Sequence, residues 1–345
     1  MPFTRDDIRA AVERAGDEHW KALRDHHEDA YPDPKPTPGD VCKAEAERLN
    51  AMRLGDANEF ELVERGLLML CNTDHGLEQE TRAAEYAHRL GIPAEILSPA
   101  AAAELEPDIR MAIAGAVYYR LDCHLTPARL MAVLRRELQT AGVRILHDTE
   151  VRGWRAGKNR VDAVETSAGA LEADEFVLCA GIWSKELVRD LGLVLPMQAG
   201  KGYSLTLDAP PKRPRICALL SEARVAMTPM GESLRFGGTM ELAGIDETVN
   251  PIRIRGIVKS VTRYYPDVRP SHFERASIRS GLRPCSPDGL PYIGRFERFA
   301  NLSTASGHAM MGVSLAPITG KLMAEIISDE PPSLSTAALR PDRYS

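Results

Sequence analysis

The run EFVLCAGIWS, residues 175–184, constrains this chain most. Phe176 to Cys179 show no alternation of apolar and polar faces, so a strand built from them is covered on both sides, as in parallel sheets flanked by helices. The strand closes on two small residues, Ala180 and Gly181, with Trp183 just beyond. Such an end leaves the backbone open to close approach by a ligand, although tight strand–helix packing asks for the same letters. An α/β class follows, with a mixed, α+β component from the strand-rich stretch 196–278.

At 345 residues, 44% hydrophobic and 27% charged, the chain is that of a soluble protein long enough for two domains. The formal net charge of -6 speaks against a nucleic-acid surface. The six cysteines lie far apart, with no C-x-x-C pair and no histidine spacing that assembles a metal site, so they read as reduced thiols. The first twenty residues are charged throughout and no apolar run is long enough to span a bilayer, which predicts a cytoplasmic protein and leaves peripheral attachment to the inner membrane open.

Along the chain, residues 4–30 read as a helix, and Pro32, Pro34, Pro36, Pro38 and Gly39 as an extended linker with a boundary near residue 40. From Phe60 onward the pattern becomes strand (ELVERGLLMLC), helix (about 74–90), and a short helix that stops where Glu106 precedes Pro107. Thr126 as cap and Pro127 as first residue predict a helix with Leu130, Val133, Leu134 and Leu138 on one face. Gly142 closes it, Val143–Leu146 begin a strand, and Gly157-Lys158-Asn159 turn a hairpin. KGYSLTL, RVAMTPM and SLRFGGTMEL then read as strands, with a helix near 250–264 and a final strand, glycine turn and helix from Asn301. There is no internal repeat.

Three places carry chemistry. Gly307-His308-Ala309-Met310-Met311-Gly312 stands between the strand NLSTAS and a helix whose free N–H groups suit an electron-rich ring edge or a phosphate; a tight turn needing glycine only for its backbone explains it equally. Arg283, stiffened by Pro284 and followed by the turn Ser286-Pro287-Asp288-Gly289, offers a planar fork for a carboxylate, and a surface arginine in a proline-rich loop is the plainer account. The third is the Ala180-Gly181 strand end. His308 is a second-rank acid–base candidate and His124 a lower one, since a lone histidine more often packs. Tyr203 in GKGYS and Glu241 in FGGTMEL are further pocket candidates that ordinary sheet positions also explain.

In order, RGLLMLC, LTPARLMAVLRREL, GVRI with TEV, FVLCAGIWS, QAGKGYS, FGGTMEL, SGLRPCSPDGLPYIGR and GHAMMGVSLAPITG resemble the flavin-linked D-amino-acid oxidase superfamily, most closely its bacterial D-amino-acid dehydrogenase and glycine oxidase branch. The resemblance runs from about residue 60 to 329. It implies an FAD-binding Rossmann-like domain (121–195 and 279–329) interrupted by a mixed-sheet substrate domain (41–120 and 196–278); the N-terminal helix and linker over 1–40, which match nothing in the family, and a tail over 330–345 flank them. It implies that Val151, Ala180, Gly181, Trp183, Gly307, Met310, Met311, Gly312 and Val313 face the flavin, and that Arg283 grips a substrate carboxylate; Tyr203 and Glu241 complete the substrate-binding candidates. Glycine oxidases place an arginine after the glycine–histidine pair where this chain has Met310 and Met311, which argues against a doubly clamped glycine.

The implied reaction is hydride transfer from the α-carbon of an amino acid or amine to FAD, giving an imine and then a 2-oxo acid, with oxygen or a quinone as electron acceptor. Arg283 and His308 are the catalytic candidates, and no side-chain base is required if the amine arrives neutral. Residues 1–60 contain Gly16, Gly39 and Gly55 but no G-x-G-x-x-G turn, so the Rossmann-like domain reads as N-terminally incomplete and FAD binding as weak. The alternatives are a non-catalytic remnant or a chain completed by a partner subunit, with a homo-oligomer also open.

Overall fold

The computed structural model describes residues 58–344. The expected helix over 4–30, the proline linker and the boundary near residue 40 lie outside the described residues.

The described chain opens with β1 (Leu67–Cys71), shorter than the expected strand from Glu61, because Val63 makes only an isolated bridge to His124. Helix α1 (Asp74–Arg89) is fixed at its start by the Thr73 hydroxyl, which accepts from the Gly76 N–H at 3.0 Å, and its last turn carries His88 and Arg89. After β2 (Ala94–Leu97), α2 (Pro99–Leu105) is capped by Ser98 and stops at Glu106, as the following proline demands. β3 (Gly115–Tyr119) leads to α3 (Pro127–Thr140). Thr126 stands at its cap position, but its hydroxyl donates instead to Glu61 Oε2 at 2.5 Å.

Val143–Leu146, expected as a strand, form none. A strand needs a ladder partner, no described strand pairs with this segment, and Val143 and Leu146 are exposed. The hairpin at Gly157 forms as expected: β4 (Val151–Ala156), β5 (Val161–Thr166) and β6 (Gly169–Glu172) make an antiparallel three-stranded sheet.

β7 (Phe176–Leu178), followed by the one-turn helix α4 (Ser184–Leu187), runs parallel to β14 (Leu302–Ser306), which pairs antiparallel with β13 (Tyr292–Arg295). Phe176 and Leu178 are buried with Ile182, Tyr292, Phe299 and Leu302, whereas Val177 and Cys179 are exposed. Among the described residues this strand is therefore covered on one face and not on two. Buried Asn301 ties the two small sheets by accepting from the Val161 N–H (2.9 Å) and donating to the Val161 carbonyl (2.8 Å).

The large sheet has eight strands in the order β12-β8-β11-β10-β9-β1-β3-β2, with β8 (Gln198–Leu207), β9 (Cys217–Leu220), β10 (Val225–Met230), β11 (Ser233–Glu241) and β12 (Ser277–Cys285). Only the β1–β9 pair is parallel, so the sheet is mixed. One face buries Tyr203, Leu205, Phe236 and Val225 against Ile257 and Val261 of α5 (Pro251–Tyr264), and this is the main core. Truncating such a residue, Ile257 for example, costs roughly 2–5 kcal/mol. The expected boundary at residue 279 falls inside β12, all of which pairs with β8. Among the described residues no helix is long and apolar enough to cross a membrane.

Candidate active site

The opposite face of the large sheet carries Arg283. The residue was expected in a proline-rich loop; it lies on β12, an edge strand, where Pro284 is tolerated because an edge has one side without a ladder. In the β12–β8 register Arg283 sits opposite Gly200 and Gly281 opposite Gly202. The guanidinium folds over Gly202 so closely that a Cβ there would stand 2.0 Å from Nη1 and 2.4 Å from Cζ. Gly202 is therefore the floor on which the arginine rests.

The fork is aimed by one bond. Nη1 donates to the Thr239 carbonyl at 3.2 Å, at the irregular stretch of β11 where the register with β8 shifts between Gly238 and Glu241 and Thr239 has φ 63°. Arg283 forms no ion pair among the described residues, so its other N–H donors are available to a carboxylate. Burial weakens its hold on its proton, opposed only by the neighbouring Cys285, the mark of a cation drawn partly out of water with no described carboxylate beside it.

Next to it stands the glycine turn. The Ala309 N–H donates to the Pro284 carbonyl at 3.0 Å, and Cys285 bridges to His308, so the residue after Arg283 is bonded to the turn. Gly307 has φ 81°, and a Cβ there would meet the Tyr292 ring at 2.9 Å. Helix α6 (Gly312–Ile327) starts without a side-chain cap, leaving first-turn N–H groups unmatched by any side chain. The Gly181–Trp183 turn also packs against β12, and the Ser306 hydroxyl donates to the Gly181 carbonyl at 3.0 Å. The three motifs are thus assembled at one end of β12.

This assembly fits the ring end of a flavin. Gly181 has φ 56° and open space where a Cβ would be, the α6 terminus presents donors, and Trp183, Met310, Met311 and Val313 are exposed apolar side chains suited to a flat aromatic system. Val151, at the start of β4 on a different sheet, is 39% exposed.

The other sequence candidates are elsewhere. Tyr203 and Glu241 lie on the core face of the sheet, where the tyrosine hydroxyl donates to Glu241 Oε2 at 2.6 Å and Lys201 Nζ meets Asp246 Oδ2 at 2.6 Å. The structure joins these two to each other and not to Arg283. The His308 ring reaches Thr319 Oγ1 on α6 at 3.0 Å and so ties the turn to the helix, and burial lowers its affinity for a proton. His124 lines a separate cavity of 570 Å³ with Arg65, Arg213 and Arg215, and its Nδ1 is buried without a partner among the described residues.

Sequence reasoning missed Gly200 and Gly202, the Thr239 carbonyl, and two further arginines, Arg235 and Arg279. The available signal was the strand period of two: in Arg279-x-Gly281-x-Arg283 both arginines fall on one face.

The family model described as FAD dependent oxidoreductase matches residues 20–326. The chain belongs to this family of FAD-dependent oxidoreductases. The match begins at residue 20, ahead of residue 60 where the quoted motifs begin. This FAD-dependent oxidoreductase is 32% identical over 313 residues to a D-amino acid dehydrogenase of Methylobacterium radiotolerans, covering 86% of this chain and 72% of the relative. It is 31% identical over 298 residues to a D-amino acid dehydrogenase of Bradyrhizobium diazoefficiens, covering 83% and 69%. Among solved structures, glycine oxidase from Geobacillus kaustophilus superposes with a TM-score of 0.80 and 25% identity over 92% of this chain and 86% of that one. An FAD-linked enzyme with an interrupted, mixed-sheet fold is the result.

Proposed function

We propose that this FAD-dependent oxidoreductase oxidises an amino acid, a D-amino acid or a related secondary amine, whose carboxylate is held by Arg283. The observation that carries the reading is the state of Arg283: partly buried, without an ion pair among the described residues, seated on Gly202 and bonded through Pro284 to the glycine turn. The likeness to two D-amino acid dehydrogenases and a glycine oxidase supports it.

Bound FAD supplies the acceptor for the hydride lost from the α-carbon. Everything else falls to the chain. Arg283 binds and orients the carboxylate with two parallel N–H donors, Gly202 leaves it room to do so, and the uncapped α6 terminus offers positive dipole density beside the turn. No described side chain is placed as a base toward Arg283, which suits a substrate whose amine arrives uncharged. The imine released is hydrolysed by water to a 2-oxo acid and ammonia, or a primary amine where the substrate is a secondary amine, and the electrons pass on to oxygen or a quinone.

The test is steady-state kinetics of the FAD-supplied chain. Arg283→Ala is expected to lower kcat/KM for a D-amino acid by roughly 10–100-fold, mostly through KM, the loss that follows from removing a charged hydrogen-bond partner. Kinetics equal to the parent would refute the role.

A further inference from the structure

Arg283 is not alone on its face of the sheet. Arg235 on β11 is opposite Thr206 of β8, Arg279 on β12 is opposite Ser204, and Arg283 is opposite Gly200. Thr206, Ser204, Gly202 and Gly200 are spaced by two along β8 and so share one face, and directly opposed residues share it with them. All three arginines therefore rise from the same side, the side turned away from the α5 core.

Between them the floor is small. Ser204 is flanked by Gly237 and Arg279, and Gly202 by Gly281. A Cβ at Gly237 or Gly281 would meet nothing within 4 Å, so the space directly over these two glycines, beside the guanidinium that covers Gly202, is open among the described residues. Arg279 and Arg283 are four residues apart on one strand, about 13 Å between Cα atoms.

The charge pattern is the telling part. The chain carries a net -6, yet no described carboxylate pairs with Arg235, Arg279 or Arg283. Among the described residues Arg235 makes no hydrogen bond either, although it is only partly exposed. Burial, then Arg283, then Arg279 all weaken its hold on its proton, so both of the other cations lie within electrostatic range of Arg235. Arg279 is exposed, whereas Arg235 and Arg283 are partly buried, and like charges crowded where two of them leave water destabilise a fold unless an anion relieves them. One α-carboxylate on Arg283 leaves two of the three unrelieved.

We infer that the substrate carries a second carboxylate, held by Arg235 and Arg279 while Arg283 holds the first, so that the preferred class is a dicarboxylic amino acid. The inference rests on the amino-acid reading above and narrows it. Planar guanidinium forks suit a carboxylate bidentately, and the glycine–serine floor leaves room for the short carbon chain between the two acids.

The test compares D-glutamate and D-aspartate with their amides, D-glutamine and D-asparagine, on the FAD-supplied full chain. The acids are expected to exceed the amides in kcat/KM by at least roughly tenfold, and Arg235→Met or Arg279→Met to cut that ratio several-fold, with Arg235→Lys restoring part of it. Calorimetric titration with glutarate against butyrate reads the same preference without turnover, and both variants should weaken glutarate.

Melting temperature separates this role from a structural one: Arg235→Met should leave it unchanged or raise it, since a repulsion is removed, whereas a fall would mark the arginine as structural and overturn its assignment. Equal rates for acids and amides would overturn the dicarboxylate inference and leave the amino-acid reading standing. Oxidation of no amino acid would overturn that reading instead, and glutarate binding would then decide the second-carboxylate site by itself. A preference for acids unchanged in both variants would contradict the assignment to Arg235 and Arg279.

Discussion

Gly202 and Arg283 act as one unit, since the arginine occupies the volume a side chain at 202 would need. Gly202→Ala is expected to displace the guanidinium and to destabilise the fold by about 1–3 kcal/mol, the usual cost of overpacking. Its kcat/KM should fall in parallel with that of Arg283→Ala; denaturant titration and kinetics on one preparation check both. On the core face, the Lys201 ammonium holds the Asp246 carboxyl down at about 2, helped by the Thr248 N–H and hydroxyl. A carboxyl lowered in the fold stabilises it above the unfolded value of 3.8, and this contribution disappears as pH falls from there toward about 2. Melting temperatures measured from pH 6 to pH 2 should therefore fall less steeply for Asp246→Asn than for the parent, and parallel curves would contradict the linkage.

At the scale of elements, the site depends on where β12 ends and the glycine turn begins. Ala309 adopts φ 48° so that its N–H can reach the Pro284 carbonyl, a conformation that costs an alanine about 1 kcal/mol and a glycine almost nothing. Ala309→Gly should raise unfolding stability by up to about 1 kcal/mol in denaturant titration, and a loss would show that the alanine methyl, not the backbone, matters there. The helices were largely legible because their signals are local: Thr73, Ser98 and Pro127 mark starts, Pro107 and Gly142 mark stops. β12 was not. A strand carrying Pro284 reads as a loop until its edge position is known, and whether Tyr203 faces a pocket or a core depends on the parity of β8, which no local signal fixes. The period-two spacing of Arg279 and Arg283 was visible in the letters, but it acquires meaning only once Arg235 is brought alongside by a different strand.

The whole molecule joins a large mixed sheet, which presents the arginines, to the small β13-β14-β7 sheet, which presents the turn, and β12 is the element that meets both. The ordered series of motifs made the family legible, because each fragment is weak while their sequence along the chain is specific. Strand pairing at long range was not legible: Val143–Leu146 have the composition of a strand and no described neighbour to pair with, and Val177 has an apolar side chain on an uncovered face. The central claim is that Arg283 anchors the carboxylate of an amino acid beside the flavin turn. Its most direct test is the rate at which flavin absorbance bleaches when the FAD-loaded chain is mixed anaerobically with D-amino acids. The account predicts bleaching by at least one of them and a rate at subsaturating substrate roughly tenfold or more lower in FAD-loaded Arg283→Ala; equal rates in the two proteins, or no bleaching by any amino acid, would contradict it.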